Sequence, residues 1–216
     1  MKIHTVKNRN VVFEFAYPDW NLNLHLIMGE KHDFLIDTGM GRENIDPILA
    51  YRNKKGRSNP LIIINTHYHF DHIWGNYLFK NHWIVAHQSC VEKIKRDWEP
   101  AIEKYHALWD DEIEQHLPNM LISDELYFAQ DGVRIFYTPG HSPDGISVLD
   151  EWENVLNVGD NIGDTMEEIV PELECEKEVY LKVLEKYEAM DFTHLVSGHN
   201  RICDKSVIGK IKKSLE

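Results

Sequence analysis

The chain is short of cysteine. Its three residues, Cys90, Cys175 and Cys203, are widely spaced and form no CxxC pair, which excludes a disulfide framework and points to a reducing compartment. It also lacks any apolar run long enough to cross a bilayer, and its opening, MKIHTVKNRNVVFEF, has no continuous apolar stretch of the kind a signal peptide needs. A cytoplasmic protein that works away from membranes is the expectation. Positive charge is scarce as well. A net charge of -13 argues against a nucleic-acid surface unless a local basic patch overrides the average field. Core-forming residues are not lacking: 43% hydrophobic against 27% charged over 216 residues is a folded composition, and it excludes a disordered chain.

Histidine, by contrast, is abundant, with thirteen residues. Where they fall depends on the elements around them. Segments 21–28 (NLNLHLIM) and 32–38 (HDFLIDT) read as the strands of a hairpin joined by GEK. A glycine-containing turn then leads into a helix at RENIDPILAYRNK, with Pro47 near its first turn or bending it. PLIIINT at 60–66 runs without polar alternation until Asn65, as a strand buried on both faces does. Residues 88–117 space apolar and aromatic positions among charges, which predicts two helical pieces broken near Pro100. Strands follow within 132–150 and at 154–161. An amphipathic helix is predicted at 173–190, with Val179, Val183, Leu184 and Tyr187 on its core face. THLVSGHN adds a short strand and KSVIGKIKKSL a last helix. The sum is an α/β layered arrangement, read as one domain over 1–216 with a helical insertion at about 88–118.

Four polar clusters share one feature: each follows a predicted strand. They are His67, His69, Asp71 and His72 in INTHYHFDHIWGN, then His141, Asp160 and His199. Loops held by a rigid sheet are the usual means of bringing such distant residues together. A lone histidine is more often a core or surface residue than a ligand. Three histidines and an aspartate within six positions, with further ligand types after three other strands, instead predict a metal centre. Imidazole and carboxylate groups suit zinc first and also admit iron or manganese. Seven protein groups are too many for one tetrahedral ion. They suit two divalent ions that share a carboxylate and a solvent-derived hydroxide.

The same residues carry a resemblance. THYHFDH matches the His-x-His-x-Asp-His motif of the metallo-beta-lactamase superfamily, and TPGHS, VGD and SGHN resemble its later metal-binding loops in the same chain order, over about residues 20–200. The resemblance implies a four-layer αβ/βα sandwich with two mixed sheets. It implies a first metal site of His67, His69 and His141, a second of Asp71, His72 and His199, and a bridging Asp160, with Asp71 and Asp160 the catalytic carboxylates. It also implies that Asp37 in LIDTG lies beneath the metals and accepts the second ring N–H of a ligand histidine, although a turn cap is an ordinary use of the same residue type. Gly39, Gly140 and Gly198 read as turn formers rather than substrate contacts.

Departures within the family rank the functions. Asp160 resembles the bridging aspartate of glyoxalase II-like hydrolases and lactonases, whereas many beta-lactamases of the superfamily carry cysteine in the second-metal region and are exported. The expected function is a dinuclear metal-dependent hydrolase of a small-molecule acyl compound, a thioester or lactone ahead of a beta-lactam. Residues 201–216 are too few for the C-terminal helical domain of glyoxalase II. Recognition is therefore expected from the insertion, with Trp98, Tyr105, Trp109 and nearby Tyr77 lining an apolar entrance. His69 argues against the flavodiiron-like branch, which carries glutamate there. A mononuclear iron persulfide dioxygenase-like enzyme, a beta-lactam hydrolase and a metal-dependent binding protein without turnover stay open. The expected partner is a small-molecule substrate, not nucleic acid or membrane, and a homo-oligomer is left open.

Overall fold

A computed structural model of the chain describes residues 1–105 and 113–215. Two sheets carry the described strands. The larger runs in chain order through β1 (Lys2–Thr5), β2 (Asn10–Ala16), β3 (Asn21–Met28), β4 (Asp33–Ile36), β5 (Leu61–Ile64), β6 (Trp83–His87) and β7 (Met120–Ile122). Its first four strands pair antiparallel and the rest parallel. The smaller sheet contains β8 (Glu125–Phe128), β9 (Val133–Tyr137), β10 (Ile146–Asp150), β11 (Val155–Asn157) and β12 (His194–Val196), in the order β12-β11-β10-β9-β8. Only its β11–β12 pair is parallel. Helices α1 (Arg42–Lys54), α2 (Phe70–Ile73), α3 (Cys90–Tyr105), α4 (Lys177–Ala189) and α5 (Ser206–Leu215) complete the described elements, with a 3-10 turn at Trp74–Phe79.

Side-chain alternation along each strand sets the layers. On one face of the larger sheet, Leu22, Leu24, Leu26, Leu35 and Ile63 pack with Ile45 and Ile48 of α1. On its other face, Ile27, Phe34, Ile36, Ile62 and Ile64 meet Val133, Ile135, Ile146 and Val148 of the smaller sheet. The far face of the smaller sheet, through Phe136, Leu149 and Leu156, is covered by Tyr180, Leu184 and Tyr187 of α4 and Ile208 and Ile211 of α5. The result is the αβ/βα sandwich. Each fully buried Leu, Ile or Phe contributes about 1.5–3 kcal/mol, so strands buried on both faces anchor the loops at their ends.

His25 of β3 lies between the sheets. It donates from Nε2 to Asn10 Oδ1 at 3.0 Å, and its Nδ1 faces Asn157 Nδ2 at 3.5 Å. Burial pushes it down to about 4 against the opposing pull of Asp150. The ring is neutral at pH 7.

Helix α1 spans the expected residues with Pro47 inside it, but α3 and α4 depart from expectation. Helix α3 passes through Pro100 instead of breaking there. An interior proline costs about 3 kcal/mol, and the packing of Cys90, Ile94, Trp98 and Tyr105 with Phe70 and Trp74 offsets it. Residues 113–117 are not helical, and the rest of the expected second piece lies outside the described residues. Helix α4 begins at Lys177, and its core face is Tyr180, Val183, Leu184 and Tyr187, while Val179 is 36% exposed. These four follow the i, i+3, i+4, i+7 spacing of a single helical stripe, which Val179 breaks.

Candidate metal centre

Strands β4 and β5 run parallel and end side by side. Asp37, one residue past β4, has φ 63, a left-handed backbone that aspartate tolerates better than most residues. The turn is held in place: Asp37 N donates to Ile64 O at 2.8 Å, and Thr66 donates to the Asp37 carboxylate from N at 2.7 Å and from Oγ1 at 2.8 Å. Past β5 the chain bends at residues 66–68, His69 is extended (φ -63, ψ 148), and α2 starts at the next residue. This break lets Asp71 and His72 project from the first turn of a helix while His67 and His69 precede it. A continuous helix would scatter them.

Every donor ring has one nitrogen tied back to an acceptor, which turns the other toward its neighbours for a cation or a proton. His72 Nδ1 donates to Asp37 Oδ2 at 2.8 Å, His141 Nδ1 to Glu172 O at 2.8 Å, His199 Nδ1 to Asn21 O at 2.7 Å, and His69 Nε2 to Glu174 Oε1 at 3.0 Å. His67 Nδ1 donates to Thr66 Oγ1 at 3.0 Å, whose own proton goes to Asp37. The open nitrogens converge. His69 Nδ1 stands 3.0 Å from His67 Nε2 and 3.0 Å from His141 Nε2. Lone pairs repel at this range without a cation or proton among them, and ligands of one tetrahedral zinc stand about 3.3 Å apart.

A second group lies beside the first. Asp71 Oδ2 is 3.5 Å from His72 Nε2 and 3.3 Å from His199 Nε2. Asp160 Oδ2 reaches both groups, at 3.2 Å from His72, 3.1 Å from His199, 3.6 Å from His67 and 3.7 Å from His141. Within each group, His67, His69, His141 and Asp160 or Asp71, His72 and His199, the donor atoms lie within 4.8 Å of one another. All seven expected side chains thus meet in one place. His72 Nε2 and Asp160 Oδ1 are buried without a hydrogen-bond partner, an arrangement that a ligand explains. The donor chemistry fits divalent cations.

The electrostatics divide the donors. Burial pulls His67 well below the ordinary histidine range, and His72 adds to the effect. Burial acts the same way on His72 and His199, yet the carboxylates of Asp160 and Asp71 lift both well above that range. For Asp160 burial acts upward, but His199, His72 and His67 hold it well below the usual carboxylate range. Gly198 lies in the bend at residues 198–200 and also gives clearance, because a Cβ there would stand 2.1 Å from Asp160 Oδ1. Gly39, with φ 62, does form a turn.

A cavity of about 410 Å³ opens beside the donors, with Phe70, Trp74, Trp98 and Tyr105 among its walls. Phe70 and Tyr105 stack with ring centroids 4.0 Å apart. Trp98 and Tyr105 thus stand where expected. Tyr77 is not part of this wall and instead has its hydroxyl near Gly41, and Trp109 lies outside the described residues. A second cavity, of about 370 Å³, shares His69, Asp71, His141 and Glu172 with the first. Asp164 and Glu168 also line it, and no described lysine or arginine does. Sequence reasoning overlooks Glu174, Lys93 and Trp20, whose ring meets His199 edge-on at 5.4 Å. No local pattern marks them. Tyr68 carries one signal, its place between two donor histidines.

The family model of the metallo-beta-lactamase superfamily matches residues 18–199. The chain belongs to the metallo-beta-lactamase superfamily. Among its curated relatives, a probable metallo-hydrolase of Methanocaldococcus jannaschii is 31% identical over 147 residues, covering 66% of this chain and 68% of that protein. An acyl-coenzyme A thioesterase of Bos taurus is 26% identical over 167 residues, 66% of this chain and 58% of that one. An N-acyl homoserine lactonase of Bacillus thuringiensis is 34% identical over 93 residues, 43% of this chain and 34% of that one. The matches to the last two span less than two thirds of those proteins. A metallo-beta-lactamase from Pontibacter korlensis shares the fold, with a TM-score of 0.73 over 98% of this chain and 97% of that one at 13% identity. Superfamily membership and the donor set make this a metal-dependent hydrolase. Among the described residues no helix is long and apolar enough to cross a membrane.

Proposed function

We propose that this metallo-beta-lactamase superfamily member hydrolyses small-molecule acyl compounds, thioesters first and lactones second, with two divalent cations, zinc by preference. His67, His69 and His141 would hold one cation, Asp71, His72 and His199 the other, and Asp160 would serve both. The carrying observation is the tie behind each of the five rings, which leaves every open nitrogen facing its neighbours and the two carboxylates. Such a cation pair, when bound, supplies an activated water and polarises the carbonyl under attack. The chain's own part is placement. Thr66 and Asp37 hold His67 and His72 with Nε2 open. Asp71, buried beside His72 and His199, is positioned to accept a hydrogen bond from the attacking water. No serine or cysteine nucleophile is needed, and Cys203 packs against Met166 as a bystander.

The walls support the substrate class. Phe70, Trp74, Trp98 and Tyr105 offer apolar surface to an acyl group and exclude water from it. Asp164, Glu168 and Glu172 in the second cavity oppose a polyanionic leaving group. Small neutral or cationic thiols, and lactones, therefore fit better than nucleotide-bearing thioesters. The names of the thioesterase and lactonase relatives favour carbonyl over phosphodiester chemistry. Zinc-loaded, metal-stripped and Asp160→Ala protein should be assayed for product from thioester, lactone, beta-lactam and phosphodiester panels. Zinc-dependent thioester turnover is expected. Turnover of phosphodiesters alone, or oxygen consumption with a persulfide on a single iron, would contradict the reading.

A further inference from the structure

Four of the five donor rings lean on rigid partners. His141 and His199 donate to backbone carbonyls, and His67 and His72 to the buried Thr66–Asp37 pair. His69 is the exception. Its Nε2 donates to the side chain of Glu174, which is 31% exposed and lies on the loop before α4. Glu174 is fixed from three other directions. Its N donates to His141 O at 3.0 Å, Tyr68 Oη donates to its Oε1 at 2.6 Å, and its Oε2 faces Lys93 Nζ at 3.5 Å. Lys93 belongs to α3, is only 16% exposed at its side chain, and sits 4.7 Å over the Tyr68 ring. The same helix supplies Ile94, Trp98 and Tyr105 to the apolar cavity.

We propose that Glu174 is the positioning residue for His69, and that through Lys93 it joins the substrate wall to the first cation group. A carboxylate can only accept from His69 Nε2, so it selects the tautomer whose Nδ1 lone pair faces His67 and His141. Without it the ring is free to flip, or to place its proton on Nδ1 and close the donor set. Lys93 and Tyr68 restrict the carboxylate to the rotamer that does this. A shift of α3 would pass through Lys93 to the His69 ring, and the seating of His69 would bear in the same way on the wall that meets the acyl group. The inference rests on the proposed cation assignment and adds a residue outside the seven donors.

The test uses full-length protein, stripped of metal and titrated with zinc against a chromophoric chelator. In Glu174→Ala one of two zinc equivalents should weaken by about 10–100-fold, the usual cost of losing a ligand's outer partner. The other equivalent should stay near its parental affinity. Glu174→Gln, which keeps an acceptor oxygen, should fall between the two, and Lys93→Met should weaken the same equivalent less. Nitrogen NMR of the metal-free proteins supplies a readout that a general packing role would not move: the Nε2–H tautomer of His69 should be present in the parent and depleted in Glu174→Ala. Two zinc equivalents in the parent with unchanged affinities in Glu174→Ala would overturn the Glu174 assignment and leave the proposed function standing. A parent that binds no zinc would overturn both.

Discussion

The fold buries histidine in two settings, and two rings of the second, His72 and His199, shift in the opposite sense to His25. Between the sheets, both ring nitrogens of His25 face amides, Asn10 and Asn157, and burial pushes the ring down to about 4. At the strand ends, His72 and His199 are also buried, yet Asp160 and Asp71 lift them well above the ordinary range. The rings differ in what their second nitrogen meets. His25 is satisfied on both sides, whereas His72 uses Nδ1 for Asp37 and turns Nε2 toward carboxylates. Burial alone does not mark a functional histidine; a second nitrogen left for a cation or proton does.

Removing the shared carboxylate breaks this contrast most severely. Asp160→Ala, in protein shown to be folded by its circular dichroism, should lose both cations and drop to the buffer rate of hydrolysis, while His25→Asn should keep both cations. Metal analysis beside the assay checks this, and two retained cations in Asp160→Ala would break the contrast.

The pH dependence of stability gives the next largest effect. The folded His25 titrates at about 4, below the ordinary 6.5, so between these values the unfolded chain binds more protons. Stability is then lost as pH falls through that window, by ~3 kcal/mol at most for this group. Urea unfolding of metal-free protein at pH 6.5 and 4.5 should show a loss in the parent that exceeds the loss in His25→Asn by roughly 2 kcal/mol. Equal losses would remove His25 as the contrasting case.

A smaller change sharpens the comparison from the other side. Asp37→Asn gives His72 an amide partner of the kind that surrounds His25. One cation equivalent should weaken by about 10–100-fold, read by chelator competition. Unchanged affinity would mean that the group behind the ring is immaterial.

Much of this centre is legible in the chain because its donors sit in short motifs directly after strands, and strand ends are where a sheet can gather distant groups. His67 to His72 announce themselves within six positions, and His141, Asp160 and His199 repeat the same context. Asp37 is readable for the same reason, one residue past β4. The sandwich follows from buried runs such as LIII in β5 and from the helices between strands. Strands β7 and β8 are harder to read, since three or four half-exposed residues become strands only when β6 and β9 pair with them. Strand β2 hides behind Asn10 and Glu14, whose partners Asp150 and Lys2 lie on other strands. Glu174 lies 105 positions from His69, so the hydrogen bond between them has no local signal. Pro100 misleads because tertiary packing outweighs its local cost.

The central claim is that two groups of donors share Asp160 and hold two cations. Anomalous diffraction from zinc-loaded crystals, recorded on both sides of the zinc absorption edge, tests it most directly. Two peaks per chain are expected, one enclosed by His67 Nε2, His69 Nδ1 and His141 Nε2 and the other by Asp71, His72 Nε2 and His199 Nε2, each within coordination distance of Asp160. A single fully occupied peak, with Asp71, His72 and His199 uncoordinated, would contradict it.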